Sequence, residues 1–98
     1  MGPALAAGCT IVIKPAPETP FSALAVVELA QRAGVPDGVI NVVTTFENVK
    51  EVAAELCENK TVRKVTFTGS TAVAKLLYKQ SASTMKKYVP YSAEILLY

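Results

Sequence analysis

The residues best suited to chemistry lie in the short stretch Phe67–Thr71, which reads Phe-Thr-Gly-Ser-Thr. The run 64–67, which leads into this stretch and ends at Phe67, is rich in β-branched and aromatic residues and predicts a strand. The run 72–81 after it carries apolar residues at helical spacing and predicts a helix. Gly69 therefore falls in a tight turn from strand to helix, where the missing side chain lets a ligand come close to the backbone.

Ser70 and Thr71 follow this glycine at the point where the predicted helix begins. A hydroxyl at such a position caps backbone N–H groups of the first turn. The same N–H groups, together with the positive end of the helix dipole, form a natural seat for a phosphate. The simpler alternative is that Gly69 is only a turn residue and Ser70 only a cap. This stretch alone leaves both interpretations open.

A second candidate is Lys14, the first charged residue of the chain. It follows the run 10–13, whose apolar residues show no alternation, as is typical of a central parallel strand buried on both faces. Three prolines within 14–20 then predict a stiff loop, because proline disrupts both helices and ladder pairing. Lys14 is either a plain strand terminator or a ligand contact, since open α/β sheets bind ligands at the carboxyl ends of their strands.

Strands and helices alternate along most of the chain. The predicted strands are 10–13, 39–43 and 64–67, and the helices that follow them are 19–33, 47–58 and 72–81. Because strand starts recur about every 25–30 residues, the pattern predicts parallel βαβ units with right-handed crossovers. The predicted fold class is α/β, a partial Rossmann-like parallel sheet flanked by helices, with 95–97 as an optional short last strand.

Loops after the first and third predicted strands would meet at one edge of such a sheet. That arrangement brings Lys14 and Gly69 together and favours a dinucleotide site over either simpler alternative. The G-x-G-x-x-G fingerprint is absent.

Each predicted helix has an apolar side that should face the sheet. On the first long helix, capped by Thr19 and started by Pro20, the side comprises Ala23, Val26, Leu29, Ala30 and Ala33. On the second it comprises Val49, Val52, Ala53, Leu56 and Cys57. On the last it comprises Val73, Leu76 and Leu77.

Composition narrows the class of protein. The chain has 98 residues, a net charge of +2 and 51% hydrophobic residues, which indicates one small globular domain or part of a larger one. The charge is too small and too scattered to favour nucleic acid as a partner. Histidine is absent from the sequence, which excludes histidine catalysis and histidine-ligated metals within these residues.

The two cysteines, Cys9 and Cys57, lie in apolar surroundings and are predicted to be small buried residues rather than a disulfide pair. The uncharged run 2–13 is too short to cross a membrane. These features predict a soluble cytoplasmic protein, with a mitochondrial location as the alternative for a full-length form.

Four motifs in this order resemble the aldehyde dehydrogenase superfamily: Gly-Pro-Ala-Leu-Ala-Ala-Gly at 2–8, Lys-Pro-Ala at 14–16, Thr-Pro-Phe-Ser-Ala-Leu at 19–24, and Phe-Thr-Gly-Ser-Thr at 67–71. The succinate-semialdehyde dehydrogenase branch is the most similar. The resemblance covers residues 1–87 and implies a fragment of the family's NAD(P)-binding domain. Residues 88–98 form a divergent tail.

The resemblance also implies roles for particular residues. Lys14 would contact the adenosine ribose of NAD or NADP, and Gly69 and Ser70, with Thr71 beside them, would lie at the cofactor phosphates. Pro17 stands where many NAD-using members carry a glutamate that holds the ribose hydroxyls. The loss of this anion removes repulsion against a 2′-phosphate, so NADP becomes acceptable. Ala74 stands where the family often has glycine.

The reaction implied by the resemblance oxidises an aldehyde, here succinate semialdehyde, to its acid, as in γ-aminobutyrate catabolism, by an oligomeric enzyme. The motifs of the family's catalytic cysteine and general-base glutamate are absent from these 98 residues. No residue is therefore predicted to be catalytic, and none to bind a metal. Three hypotheses remain: an inactive enzyme fragment, a weak nucleotide-binding module, and a truncated product without function.

Overall fold

The computed structural model describes residues 1–85, 87–90 and 95–97, with short strands and helices in alternation. Within these residues the helices are α1 (Gly2–Ala6), α2 (Phe21–Arg32), α3 (Val49–Glu58) and α4 (Thr71–Ala82). The strands are β1 (Ile11–Lys14), β2 (Ile40–Val42), β3 (Lys64–Phe67), β4 (Lys87–Pro90) and β5 (Ile95–Leu97). The predicted α/β class is confirmed, and most boundaries agree with the sequence prediction to within two residues.

All five strands join one sheet in the order β2-β1-β5-β3-β4. β1 pairs in parallel with β2, and β3 pairs in parallel with β4. The last strand, β5, lies between these two pairs and runs antiparallel to both β1 and β3. Since β1 and β3 are each antiparallel to β5, they run parallel to each other. The optional last strand is therefore present, but it makes the sheet mixed rather than wholly parallel.

Among the described residues, buried apolar side chains form two clusters. The first core contains Ala4, Ile11, Ile13 and Ile40, and it unites α1, β1 and β2 with the inner side of α2. The second core contains Cys57, Phe67 and Leu77, and it unites α3, β3 and α4. Each core thus belongs to one half of the molecule, and β5 lies on the boundary between the halves.

Helix α2 faces the sheet with a side that matches the prediction only in part: Ala23 and Ala30 are confirmed, and the predicted Ala33 is exposed. Ala23, Val27 and Ala30 pack on the first core, whereas Val26 and Leu29 are exposed by 43% and 62%. This helix is apolar on several sides, so periodicity did not select one. Its N-cap is Pro20 and makes no side-chain capping bond, so the predicted Thr19 cap is wrong.

On helix α4, too, the side that packs on the core matches the predicted side only in part. Leu77 and Ser81 are buried and Ala74 packs on the second core, but Val73 and Leu76 are exposed. The prediction for Leu77 is therefore confirmed, and those for Val73 and Leu76 are wrong. On α3 the predicted side is confirmed, with Cys57 fully buried and Ala53 beside it.

The cysteines behave differently from each other. Cys57 is buried as predicted, but Cys9 is exposed, so the prediction for Cys9 is wrong. Cys9 follows Gly8, which ends α1 in a left-handed conformation (φ 74°) and turns the chain outward before β1 begins. The two cysteines do not form a disulfide bond with each other. Among the described residues, no helix is long and apolar enough to cross a membrane.

Candidate functional site

Lys14 is the last residue of β1 and is almost completely buried, with 7% of its surface exposed. Its ammonium group donates a hydrogen bond of 3.0 Å to the backbone carbonyl of Pro15. A buried charge is costly unless it is hydrogen-bonded, and this bond supplies a partner within the same turn. The side chain is therefore held at the carboxyl edge of the sheet.

The proline-rich loop after β1 forms one wall of an open cleft of about 320 Å³. The opposite wall is the segment after β2, and the lining residues are Pro15, Ala16, Pro17, Pro20, Thr44, Thr45 and Phe46. Pro17 is half-buried in this wall, whereas Glu18 beside it is exposed. Among the described residues, no acidic side chain lines the cleft.

Gly69 occupies the turn between β3 and α4, directly against the aromatic ring of Phe67. A Cβ built on Gly69 would lie 2.5 Å from Cζ of that ring and 3.2 Å from each Cε. Phe67 itself is only 7% exposed and belongs to the second core, so its ring has little room to retreat. The turn therefore requires glycine for packing, independently of any ligand.

Ser70 is the N-cap of α4 and Thr71 its first residue. The Ser70 hydroxyl accepts a hydrogen bond of 3.4 Å from the Val73 backbone N–H, which confirms Ser70 as the cap. Both residues are exposed. Since the first N–H groups of any helix lack partners within the helix, this twelve-residue helix presents donors and a positive dipole end to the surface.

The two candidate regions lie at the same edge of the sheet. β5 places Ile13 level with Thr66, because both pair with Leu96. One residue further along, Lys14 and Phe67 end their strands on the same side of the molecule. One strand position lies between them, which corresponds to roughly 10 Å across the sheet. The predicted convergence of the two loops is thus present in the structure.

Sequence reasoning missed the segment after β2. Thr44, Thr45 and Phe46 complete the cleft next to Pro17, and Phe46 is exposed by 77%. The available signal was the position of this segment, because it follows the carboxyl end of a strand parallel to β1. Its residues carry no charge, and for this reason it did not stand out.

A model of the aldehyde dehydrogenase family matches residues 1–90. The chain therefore belongs to the aldehyde dehydrogenase family, as its motifs indicated.

Among curated relatives, the NADP(+)-named succinate-semialdehyde dehydrogenase 1 of Schizosaccharomyces pombe is 61% identical over 87 residues. That alignment covers 89% of this chain and 17% of the relative. The mitochondrial succinate-semialdehyde dehydrogenase of Homo sapiens is 51% identical over 88 residues, covering 89% and 16%.

The fold of this chain is also similar to solved structures of the same family. An NADP-dependent enzyme of E. coli superposes with a TM-score of 0.85 at 57% identity, covering 91% of this chain and 18% of that one. The succinate-semialdehyde dehydrogenase of Burkholderia pseudomallei gives a TM-score of 0.84 at 59% identity, covering 90% and 18%. The chain thus spans less than a fifth of the length of these proteins.

Proposed function

We propose that this chain is part of the cofactor-binding domain of an NAD(P)-dependent aldehyde dehydrogenase, with residues 1–87 as the domain fragment and 88–98 as a divergent tail. The observation that supports it most strongly is the position of Lys14 and Gly69 on one edge of the sheet, at the carboxyl ends of mutually parallel strands. Dinucleotides bind at that edge in open α/β sheets.

The two regions would hold different parts of the cofactor. Lys14 would release the Pro15 carbonyl and donate instead to the adenosine ribose. The backbone at Gly69, Ser70 and Thr71 would donate N–H groups to the phosphates, helped by the helix dipole. Gly69 itself is required for this turn, because a Cβ there would collide with the Phe67 ring.

We infer that NADP is accepted as well as NAD. Pro17 lines the cleft next to the Lys14 turn and brings no negative charge to it. A carboxylate there would repel a 2′-phosphate, and its absence removes that cost. The relatives in two yeasts carry NADP(+) in their names, which agrees with this choice.

The substrate proposed for the whole enzyme is a small semialdehyde, with succinate semialdehyde as the first choice. Matching relatives include succinate-semialdehyde and glutarate-semialdehyde dehydrogenases. The bound cofactor supplies the hydride acceptor. No residue of this chain is assigned to the chemical step, so we expect these 98 residues alone to show no turnover. We further propose that the full-length protein is oligomeric and acts in the cytoplasm.

The decisive test is a titration of the isotopically labelled chain with NADP, followed by NMR. We expect amide shifts at Lys14, Gly69, Ser70 and Thr71, with a dissociation constant in the millimolar range, about 4 kcal/mol. Such weak binding follows because other contacts to the cofactor would come from outside this chain. Shifts confined to the opposite edge, near Thr10 and Arg63, would contradict the assignment.

The alternative function, nucleotide binding without catalysis, would produce the same amide shifts in this titration. An assay with succinate semialdehyde and NADP addresses the activity of the chain itself. Turnover above a control without protein would overturn the expected inactivity.

A further inference from the structure

The central strand of this sheet differs from its neighbours in its direction and in its position in the sequence. Four strands, β2, β1, β3 and β4, run the same way, and β5 alone runs against them. In a doubly wound sheet with order 3-2-1-4-5, the central position belongs to a parallel strand that comes first in the sequence. Here it is held by the last described strand of the sequence.

β5 is also the link between the halves. It pairs with β1 through Val12, Ile13 and Lys14, and with β3 through Val65 and Thr66. Among the described strands, no other pairs with strands of both halves. The main-chain ladder of β5 thus connects β1 of the first half with β3 of the second half.

The gap between β1 and β3 extends further than the described residues of β5. Leu97, the last described residue of β5, lies level with Val12 and Val65. Past this level, towards the amino ends of β1 and β3, an open cleft of about 420 Å³ separates the two halves. Residues of the first half, including Ala4 and Thr10, line one side, and residues of the second half, including Thr61 and Lys64, line the other.

We propose that the gap between β1 and β3 is a strand-acceptor site, and that the tail strand β5 (Ile95–Leu97) is its ligand. Recognition would rest on backbone hydrogen bonds to both neighbouring strands, as when an extended peptide is added to a sheet. Because this mode reads the main chain, it accepts a strand in the reversed direction. The tail would thereby convert two half-sheets into one cooperative sheet.

The test uses the full chain with the substitution Leu96→Pro, at the residue of β5 that pairs with both neighbours. Proline removes a ladder donor and fixes an unsuitable backbone angle. We expect hydrogen-exchange protection of the amides in β1 and β3 to fall at least about tenfold. Unchanged protection in both strands would overturn the proposal.

The matched control is Val42→Pro on the edge strand β2. The Val43 N–H donates to Ile13 and the Ile11 N–H to the Val39 carbonyl, so by alternation the Val42 N–H faces away from β1. Proline is tolerated at such an edge position. We therefore expect β3 to keep its protection in this variant. A loss in β3 equal to that of Leu96→Pro would count against a specific role of β5.

Addition of a synthetic peptide with the sequence of residues 91–98 to the Leu96→Pro chain separates binding from simple unfolding. We expect protection of β1 and β3 to return in a saturable manner, and a peptide that itself carries proline at Leu96 to have no effect. Failure of the unmodified peptide to restore protection would overturn the acceptor site. None of these outcomes depends on nucleotide, so the proposed function can fail or hold separately.

Discussion

The half of the molecule around β1 and β2 and the half around β3 and β4 contribute different groups to the same edge. The first offers a long side chain, Lys14, together with a stiff proline-rich wall. The second offers backbone, exposed where Gly69 and Ser70 start α4. The first half thus offers a side-chain donor, whereas the donors of the second half are backbone groups whose position depends on the packing beneath them.

The strength of that dependence differs between the halves. Gly69 packs against Phe67, a member of the second core. A change in the geometry of the turn therefore also changes the stability of this half. Pro17, in contrast, lies in a cleft that is open to solvent and outside both cores. Substitutions in the second half should therefore alter stability first, and substitutions at Pro17 should alter only ligand preference.

The largest effect is expected for Phe67→Ala. Removal of a buried aromatic ring leaves a cavity in the second core, and we expect a loss of about 3–5 kcal/mol in unfolding free energy. Urea denaturation monitored by circular dichroism measures it. The control is Phe21→Ala, a ring exposed by 81%, which should change stability by about 0.5 kcal/mol or less. Equal losses in both variants would contradict the assignment of Phe67 to a core.

Gly69→Ala should follow, with a loss of about 1–3 kcal/mol, since the new methyl group collides with the Phe67 ring. The shorter side chain of Phe67→Leu should relieve this clash. The double variant should therefore lose less than the sum of the single variants, which a double-mutant cycle measures. Gly2→Ala is the control, because a Cβ at Gly2 meets nothing within 4 Å. Additive losses would show that the ring and the turn are independent.

Ser70→Ala is expected to cost about 1 kcal/mol, because the capping bond to the Val73 N–H is lost. Thermal melting gives the difference. Ser22→Ala, an exposed position within α2, should be neutral or slightly stabilising. If both variants melt at the same temperature, the capping bond of Ser70 contributes nothing to stability.

The smallest effect belongs to Pro17→Glu in the first half. Stability should hardly change, but NADP binding should weaken by about fivefold, equivalent to about 1 kcal/mol of repulsion against the 2′-phosphate, while NAD binding should not weaken. Parallel titrations with the two nucleotides measure this ratio. Ala25→Glu, which adds the same charge at an exposed site on α2, should affect both nucleotides equally. An unchanged ratio in Pro17→Glu would place the ribose elsewhere.

The sequence predicts where the helices and strands lie better than it predicts which side of each helix packs on the sheet. The runs 10–13 and 64–67 are apolar or β-branched and closely match β1 and β3. The inner sides of α2 and α4 were predicted only in part, because alanine, valine and leucine surround much of both helices. In such helices the hydrophobic period does not select one side, and the surface of the packing partner, which the period does not contain, decides which side is buried.

Strand direction was a second limit. An apolar triplet such as 95–97 predicts a strand, but nothing in the triplet encodes whether it runs parallel or antiparallel to its neighbours. The candidate edge was predictable because it depends only on β1 and β3 having the same direction. The collision between Gly69 and the Phe67 ring was not predictable, since both residues lie in one pentapeptide whose side-chain packing is set by α3 and α4.

The burial of Lys14 has a consequence for its reactivity. An ammonium group that is covered by protein and bonded to the Pro15 carbonyl is shielded from small electrophiles in solution. In competitive acetylation with a trace of reagent, Lys14 should be labelled later than the exposed residues Lys50, Lys60 and Lys79. The amine at the candidate ribose position is thus expected to be the slower to acylate, although it is the one that would contact the cofactor.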